Sequence, residues 1–198
     1  MSTLILASGS AARQRMLRAA GVEFSVQTAA IDEEAILQSL QAEEARPRDM
    51  ADLLAELKAV KVSTSRPETW VIGADQVLSL GKECFQKPGT LVKARQQLLR
   101  LKGKVHVLSS AVCVAKNGSV VWRFVGEARL TMRDFTDQFL ESYLVEAGEE
   151  ILGSVGAYHV EGLGLQLFSD IDGDLFTIQG MPMLPLLDYL RLNGVLNP

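Results

Sequence analysis

VHVLSSAVCVA (Val105–Ala115), KNGS (Lys116–Ser119) and VVWRFVGEARLTM (Val120–Met132) follow one another without interruption, and their reading decides the class of fold. The two outer segments are rich in β-branched and aromatic residues, as strands are. Asn117-Gly118 between them is the strongest short-range hairpin signal, because both residues accept the positive φ of a tight two-residue turn. Upstream, Leu4–Ala7 and Trp70–Ala74 are short apolar runs bounded by turn residues and read as buried strands. Phe24–Gln27 alternates like a further strand. Helical spacing fills the rest. Met16, Leu17 and Ala20 recur on one face and stop at Gly21. Ile36, Leu37 and Leu40 suit a short helix, and a longer one follows Pro47 with Leu53, Leu54, Leu57 and Val60 on one side. Thr90 opens another, with Ala94, Leu98 and Leu101 inward and Gly103 as its stop. Phe139, Leu140 and Tyr143 mark the next, and Leu186, Leu187 and Leu190 follow Pro182 in the last. Strands alternating with helices, together with a long hairpin, predict an α/β fold on a mixed sheet. No repeat, linker or low-complexity tract interrupts the chain, so residues 1–198 are expected to form a single domain.

Composition narrows the partners. Hydrophobic residues make up 47% and charged residues 22% of the 198 positions, ordinary values for a chain that buries a core. With 20 Lys and Arg against 24 Asp and Glu, the net charge of −4 argues against a nucleic-acid surface. A small anionic ligand stays open, since a few converging cations make a local positive site even in an acidic protein. Cys84 and Cys113 have neither metal-ligand nor disulfide spacing and read as small packing residues. The apolar run in Met1–Ala7 is too short for a signal segment or a membrane span. The expectation is a soluble, cytoplasmic protein with no membrane partner.

Four sets of residues are candidates for chemistry. Ser8-Gly9-Ser10-Ala11-Ala12-Arg13 lies between a strand and a helix, where free N–H donors favour phosphate and Arg13 adds a forked cation. Plain capping by Ser10 is the ordinary reading of such a turn. Asp75 ends an apolar strand, a place where open α/β sheets gather ligands, and an acid there suits a divalent cation or a water. The ordinary reading is an Asx-turn acid. Lys58, Lys61 and Lys87 are lone lysines whose default is solvation. Asp32, Glu33 and Glu34 either ligate a metal or favour a helix start. His106 and His159 are too far apart in sequence to suggest a metal pair. His106, alternating with Val105 and Val107, is expected on the wet face of its strand. Trp70 and Trp122 are read as core.

Taken in order, these pieces resemble the Maf family. Leu4–Arg13 is similar to its N-terminal signature of apolar strand, Ala-Ser-x-Ser, Pro and Arg. Ile31-Asp32-Glu33, Lys58-Ala59, Gly73-Ala74-Asp75 and Lys87-Pro88 match its later motifs. Gly156-Ala157-Tyr158, Glu161-Gly162-Leu163-Gly164 and Gly180-Met181-Pro182 continue the match almost to the C-terminus. The resemblance implies a two-lobed α/β fold of the Maf and inosine-triphosphatase-like kind, an elongated mixed sheet flanked by helices around a central cleft. It implies a nucleoside triphosphate pyrophosphatase that yields a monophosphate and pyrophosphate with a divalent cation, Mg²⁺ or Mn²⁺. On this reading Asp75, Lys87 and Lys58 are catalytic, while Ser8, Ser10, Arg13, Gln76 and Glu161 bind substrate. Asp75 and Glu33 hold the metal. Ala11 and Ala12 depart from the usual Pro and Arg. Gln76 and Glu161 resemble the branch that prefers 7-methyl-GTP, although that branch often carries a larger side chain near position 12. A pyrimidine triphosphatase acting on dTTP or UTP is the alternative within the enzyme class. Outside it stand a nucleotide-binding regulator of septum formation with little turnover and a purely structural α/β module. Monomer and homodimer are both compatible with the sequence.

Overall fold

The long hairpin forms as its sequence requires, with φ of 54° at Asn117 and 73° at Gly118. In the computed structural model, which describes residues 4–197, the strands are β1 (Leu4–Leu6), β2 (Ser25–Val26), β3 (Trp70–Leu80), β4 (Glu83–Phe85), β5 (Val105–Lys116), β6 (Ser119–Met132) and β7 (Phe168–Asp172). The helices are α1 (Ala11–Ala19), α2 (Glu33–Ala42), α3 (Pro47–Thr64), α4 (Leu91–Leu101), α5 (Asp137–Ala147), α6 (Leu175–Ile178) and α7 (Met183–Leu192). Met1–Thr3 of the N-terminal run lie outside the described residues, as does Pro198. Among the described residues no helix is long and apolar enough to cross a membrane.

The strands join in the order β2-β1-β3-β5-β6-β7, with β4 also paired to β3. β1 runs parallel to β2 and β3, whereas β3, β4, β5, β6 and β7 pair antiparallel, so the sheet is mixed. Helix α3 covers one face, packing Met50, Ala51, Ala55 and Ala59 against Val77, Ala111 and Cys113. The other face carries two separate packs. At one end α1 and α7 bury Leu17, Leu186 and Leu190 on Leu6, Ile72 and Val112. At the other, α4 and α5 bury Leu98, Leu101 and Leu140 on Leu78, Leu108 and Leu130. These two packs are the lobes, and a cleft of ≈ 880 Å³ is walled by the start of α1 on one side and by Phe85, Leu108 and Tyr158 of the second pack on the other.

One strand makes that cleft possible. β1 covers an edge of β3 only as far as Ile72, and β4 resumes cover at Leu78. The residues between stay in the sheet by pairing with β5 on the opposite edge, from Gly73↔Cys113 to Val77↔Ser109. β3 thus continues with an open edge past the carboxyl end of its parallel neighbour β1, and the space beyond such strand ends is where open α/β sheets gather ligands. The apolar run stops at Ala74, so the sequence reading ended this strand six residues too early.

His106 is the clearest departure from expectation. It is fully buried, with Nε2 2.8 Å from the Tyr158 hydroxyl and its ring against Phe168. Alternation requires Val105 and Val107 to oppose it but does not say which side is wet. Burial pushes its pKa down to about 4, so the ring is neutral inside the protein. Cys113 is a packing residue, its thiol pushed up to about 12 by burial. Trp70 and Trp122 are half-buried and both meet Tyr189, Trp122 stacking on it at 4.9 Å.

Candidate active site

The open edge of β3 places Asp75 and Gln76 on opposite faces of the sheet, since successive strand side chains alternate. Both nevertheless line the cleft, because no strand covers the edge between them. Asp75 points to the α3 side. There Lys58 lies within the buried stripe of Ala51, Leu54, Ala55, Ala59 and Val62 and extends its ammonium to Asp75 Oδ1 at 3.2 Å. The same ammonium is 3.0 Å from Glu33 Oε1, so one cation links two carboxylates. Gly73 permits this closeness: a Cβ there would lie 2.1 Å from the Ala55 carbonyl oxygen and 2.6 Å from the Ala59 nitrogen. α3 therefore rests directly on the strand beside Asp75.

The acidic run divides its work. Asp32 caps α2 by accepting from the Ala35 N–H at 3.0 Å, and Glu34 bonds Gln38. Glu33 alone reaches the cleft's cation.

Arg13 sits under the cleft floor. Its Nη1 donates to Ser8 Oγ at 3.0 Å and to the Ala74 carbonyl at 2.8 Å, and its Nε donates to the Gly180 carbonyl at 2.8 Å. Nη2 faces Asp75 Oδ1 at 4.0 Å. Burial lowers the Arg13 pKa, opposed by the Asp75 and Glu33 carboxylates. Ser8 is buried, and Ser10 caps α1 by accepting from the Arg13 N–H at 3.4 Å. Ala11 and Ala12, in the first turn whose N–H groups have no partner within the helix, border the cleft.

Gln76 is held from the other side. Its amide nitrogen donates to Ser110 Oγ at 2.8 Å, to the Ile178 carbonyl at 2.9 Å and to the Thr177 carbonyl at 3.2 Å. What it retains for a ligand is its oxygen. Lys87 is exposed on the cleft wall, on the loop after β4 that Gln97 anchors through the Gln86 carbonyl at 2.7 Å. Lys61 is solvent-exposed. The residues assigned to catalysis, substrate and metal thus border one cavity, although they come from separate segments around Ser8, Glu33, Lys58, Asp75, Lys87 and Glu161; Asp32 and Lys61 do not line it.

The Maf-like protein family matches residues 3–192. The chain belongs to that family. A nucleoside triphosphate pyrophosphatase from Paramagnetospirillum magneticum is 52% identical over 194 residues, covering 98% of this chain and 100% of that protein. One from Caulobacter vibrioides is 50% identical over 196 residues, covering 99% and 98%. A 7-methyl-GTP pyrophosphatase from Brucella abortus is 50% identical over 188 residues, covering 95% and 94%. The Maf motifs read from the sequence acquire a structural sense here. Gly180 carries a φ of 100°, accepts from Arg13 and lies so close that a Cβ would be 3.4 Å from its guanidinium.

The sequence reading missed Arg15 and Ser154, both on the cleft wall. Arg15 is three residues after Ala12, on the same side of α1, a spacing that exposes it to whatever Ala12 faces. Ser154 donates to the Tyr158 carbonyl at 2.8 Å and carries no local sequence signal.

The donor set suits a divalent cation shared with a ligand. Lys58 contacts Oδ1 of Asp75 and Oε1 of Glu33, which leaves each carboxylate a second oxygen. Among the described residues no three His, Cys, Asp or Glu side chains converge. A cation such as Mg²⁺ is commonly held by one or two carboxylates, with substrate phosphates and water completing the shell.

Proposed function

We propose that this cleft hydrolyses a nucleoside triphosphate at its α-phosphorus, releasing a nucleoside monophosphate and pyrophosphate. The base it prefers is guanine methylated at N7. The observation carrying the reaction is the open edge of β3, where Asp75 stands between two buried cations, with Lys58 at 3.2 Å and Arg13 at 4.0 Å. A triphosphate brings about four negative charges near neutrality, and charge stabilisation is most of what such a transfer needs. Lys58 and the exposed Lys87 offset part of that charge, and the first N–H groups of α1 receive phosphate oxygens. Asp75 orients the attacking water and takes its proton as the new P–O bond forms and the bond to the leaving pyrophosphate breaks. Asp75 and Glu33 would hold a divalent cation, Mg²⁺ or Mn²⁺, through their second oxygens, and it supplies further neutralisation of the phosphates. Arg13, with three of its bonds directed to the protein, fixes the floor on which Asp75 stands.

The base preference rests on acceptors. Gln76 offers its oxygen and Glu161 its carboxylate to the same cavity, a set that meets the N1–H and N2–H₂ donors of guanine. A carboxylate also attracts the positive charge of the methylated ring. Thymine and uracil present a single ring N–H between two carbonyls and leave an acceptor unmatched, which is costly. The similarity to the Brucella 7-methyl-GTP pyrophosphatase supports the same choice. Specificity constants for 7-methyl-GTP, GTP, dTTP and UTP test it. We expect 7-methyl-GTP to exceed the pyrimidines by roughly 10²-fold, and Glu161→Gln to lower the methylated purine more than dTTP. A wild-type preference for dTTP or UTP overturns the base assignment and leaves the pyrophosphatase reading standing.

A further inference from the structure

Arg15 is unused in the chemistry above and yet stands at the mouth of the cleft. Its Nη2 is 3.4 Å from Glu161 Oε1, joining α1 to the segment after Tyr158 across 146 residues of chain. Of the α1 residues bordering the cleft, Ala11 and Ala12 end in methyl groups and Arg13 turns inward. Arg15 is therefore the one long side chain that this helix offers there. The pair is only partly shielded, with Arg15 62% and Glu161 34% exposed. Such a pair adds little to stability, because water and salt screen it. Its effect on a ligand is another matter.

We propose that Arg15 is a specificity-determining residue that sets how strongly the site favours a cationic base over a neutral one. The inference rests on the reading of Glu161 as a base contact. A carboxylate alone draws a positively charged ring. A guanidinium a few ångströms away repels the same ring and cancels part of that attraction. Two unit charges about 4 Å apart interact by about 1 kcal/mol even at the dielectric of water, enough for a severalfold change in a binding ratio. Arg15 also acts on the neutral base. Its fork can donate to the O6 and N7 acceptors of guanine, and methylation at N7 removes one of them. Both effects have the same sign: Arg15 narrows the gap between 7-methyl-GTP and GTP. Removing it widens the gap.

The test is the ratio of kcat/KM for 7-methyl-GTP to that for GTP, with dTTP as reference, in wild type, Arg15→Ala, Arg15→Lys and Glu161→Gln. Arg15→Ala is expected to raise the ratio about threefold or more, and high salt to shrink that gain. Arg15→Lys keeps the charge but not the fork, so its ratio should fall between wild type and Arg15→Ala. A merely structural contact would lower both substrates together, and Lys would not restore the ratio. Guanosine nucleotides preferred over dTTP, with a ratio that Arg15→Ala leaves unchanged or lowers, overturns the role of Arg15 alone. Preference for dTTP in wild type overturns the base reading, and the role of Arg15 falls with it.

Discussion

Asp75→Asn is expected to lower kcat/KM by about 10²-fold or more while the protein stays folded. The amide keeps the shape of the carboxylate and can still accept from Lys58, now 3.2 Å from Asp75 Oδ1. Lys58 also keeps Glu33 at 3.0 Å, so its buried charge is not left without a counter-ion. The structural loss is accordingly limited, and the loss of function is not. Asn neither takes a proton from water nor lends a negative charge to a divalent cation. Steady-state kinetics and a thermal melt on the same preparation separate the two effects. Activity near wild type in a folded Asp75→Asn protein removes Asp75 from the mechanism.

Gly73→Ala is expected to be the most damaging single methyl that can be added near the site. The backbone conformation itself is not the obstacle, since Gly73 is not among the glycines of positive φ. The obstacle is α3. The new Cβ would meet the Ala55 carbonyl oxygen at 2.1 Å, the Ala59 nitrogen at 2.6 Å and the Ala59 Cβ at 2.8 Å. Backbone atoms cannot rotate away as a side-chain end can, so helix and strand must part. Overpacking of this kind costs about 3 kcal/mol or more, equivalent to roughly 10 °C in Tm for a chain of this length. Because α3 carries Lys58 to Asp75, activity should fall with stability. Differential scanning calorimetry and the yield of folded protein measure the effect, and an unchanged Tm would contradict the packing described.

The parts of this fold that local sequence specifies were legible in it. The hairpin of β5 and β6 needed only strand-forming segments and an Asn-Gly turn, and both act within a few residues. The end of β3 was not legible. Asp75 and Gln76 break the apolar run, and only pairing with Ala111 and Ser110 keeps them in the sheet. β7 was missed and the bounds of β4 were not legible for a related reason. Three residues of Glu83–Phe85 and the mixed Phe168–Asp172 become strands through their partners. At the site, the positions of Asp75 and of the α1 start could be read from strand-turn-helix order. Lys58 carried a signal that its charge obscured: it falls four residues after Leu54 and three after Ala55, inside the stripe that α3 buries. A charged residue in such a stripe is rarely buried without a partner. The bonds that commit Arg13 were beyond reach, since Ala74 and Gly180 lie 61 and 167 residues away in the chain.

The most direct measurement follows the phosphorus. Purified protein is incubated with 7-methyl-GTP or GTP and Mg²⁺ or Mn²⁺ in water enriched in oxygen-18, and the products are resolved by phosphorus NMR and mass spectrometry. Attack at the α-phosphorus, with Asp75 positioning the water, yields equal amounts of nucleoside monophosphate and pyrophosphate, with the label in the monophosphate. Label in the pyrophosphate, or a diphosphate and orthophosphate as products, would contradict it.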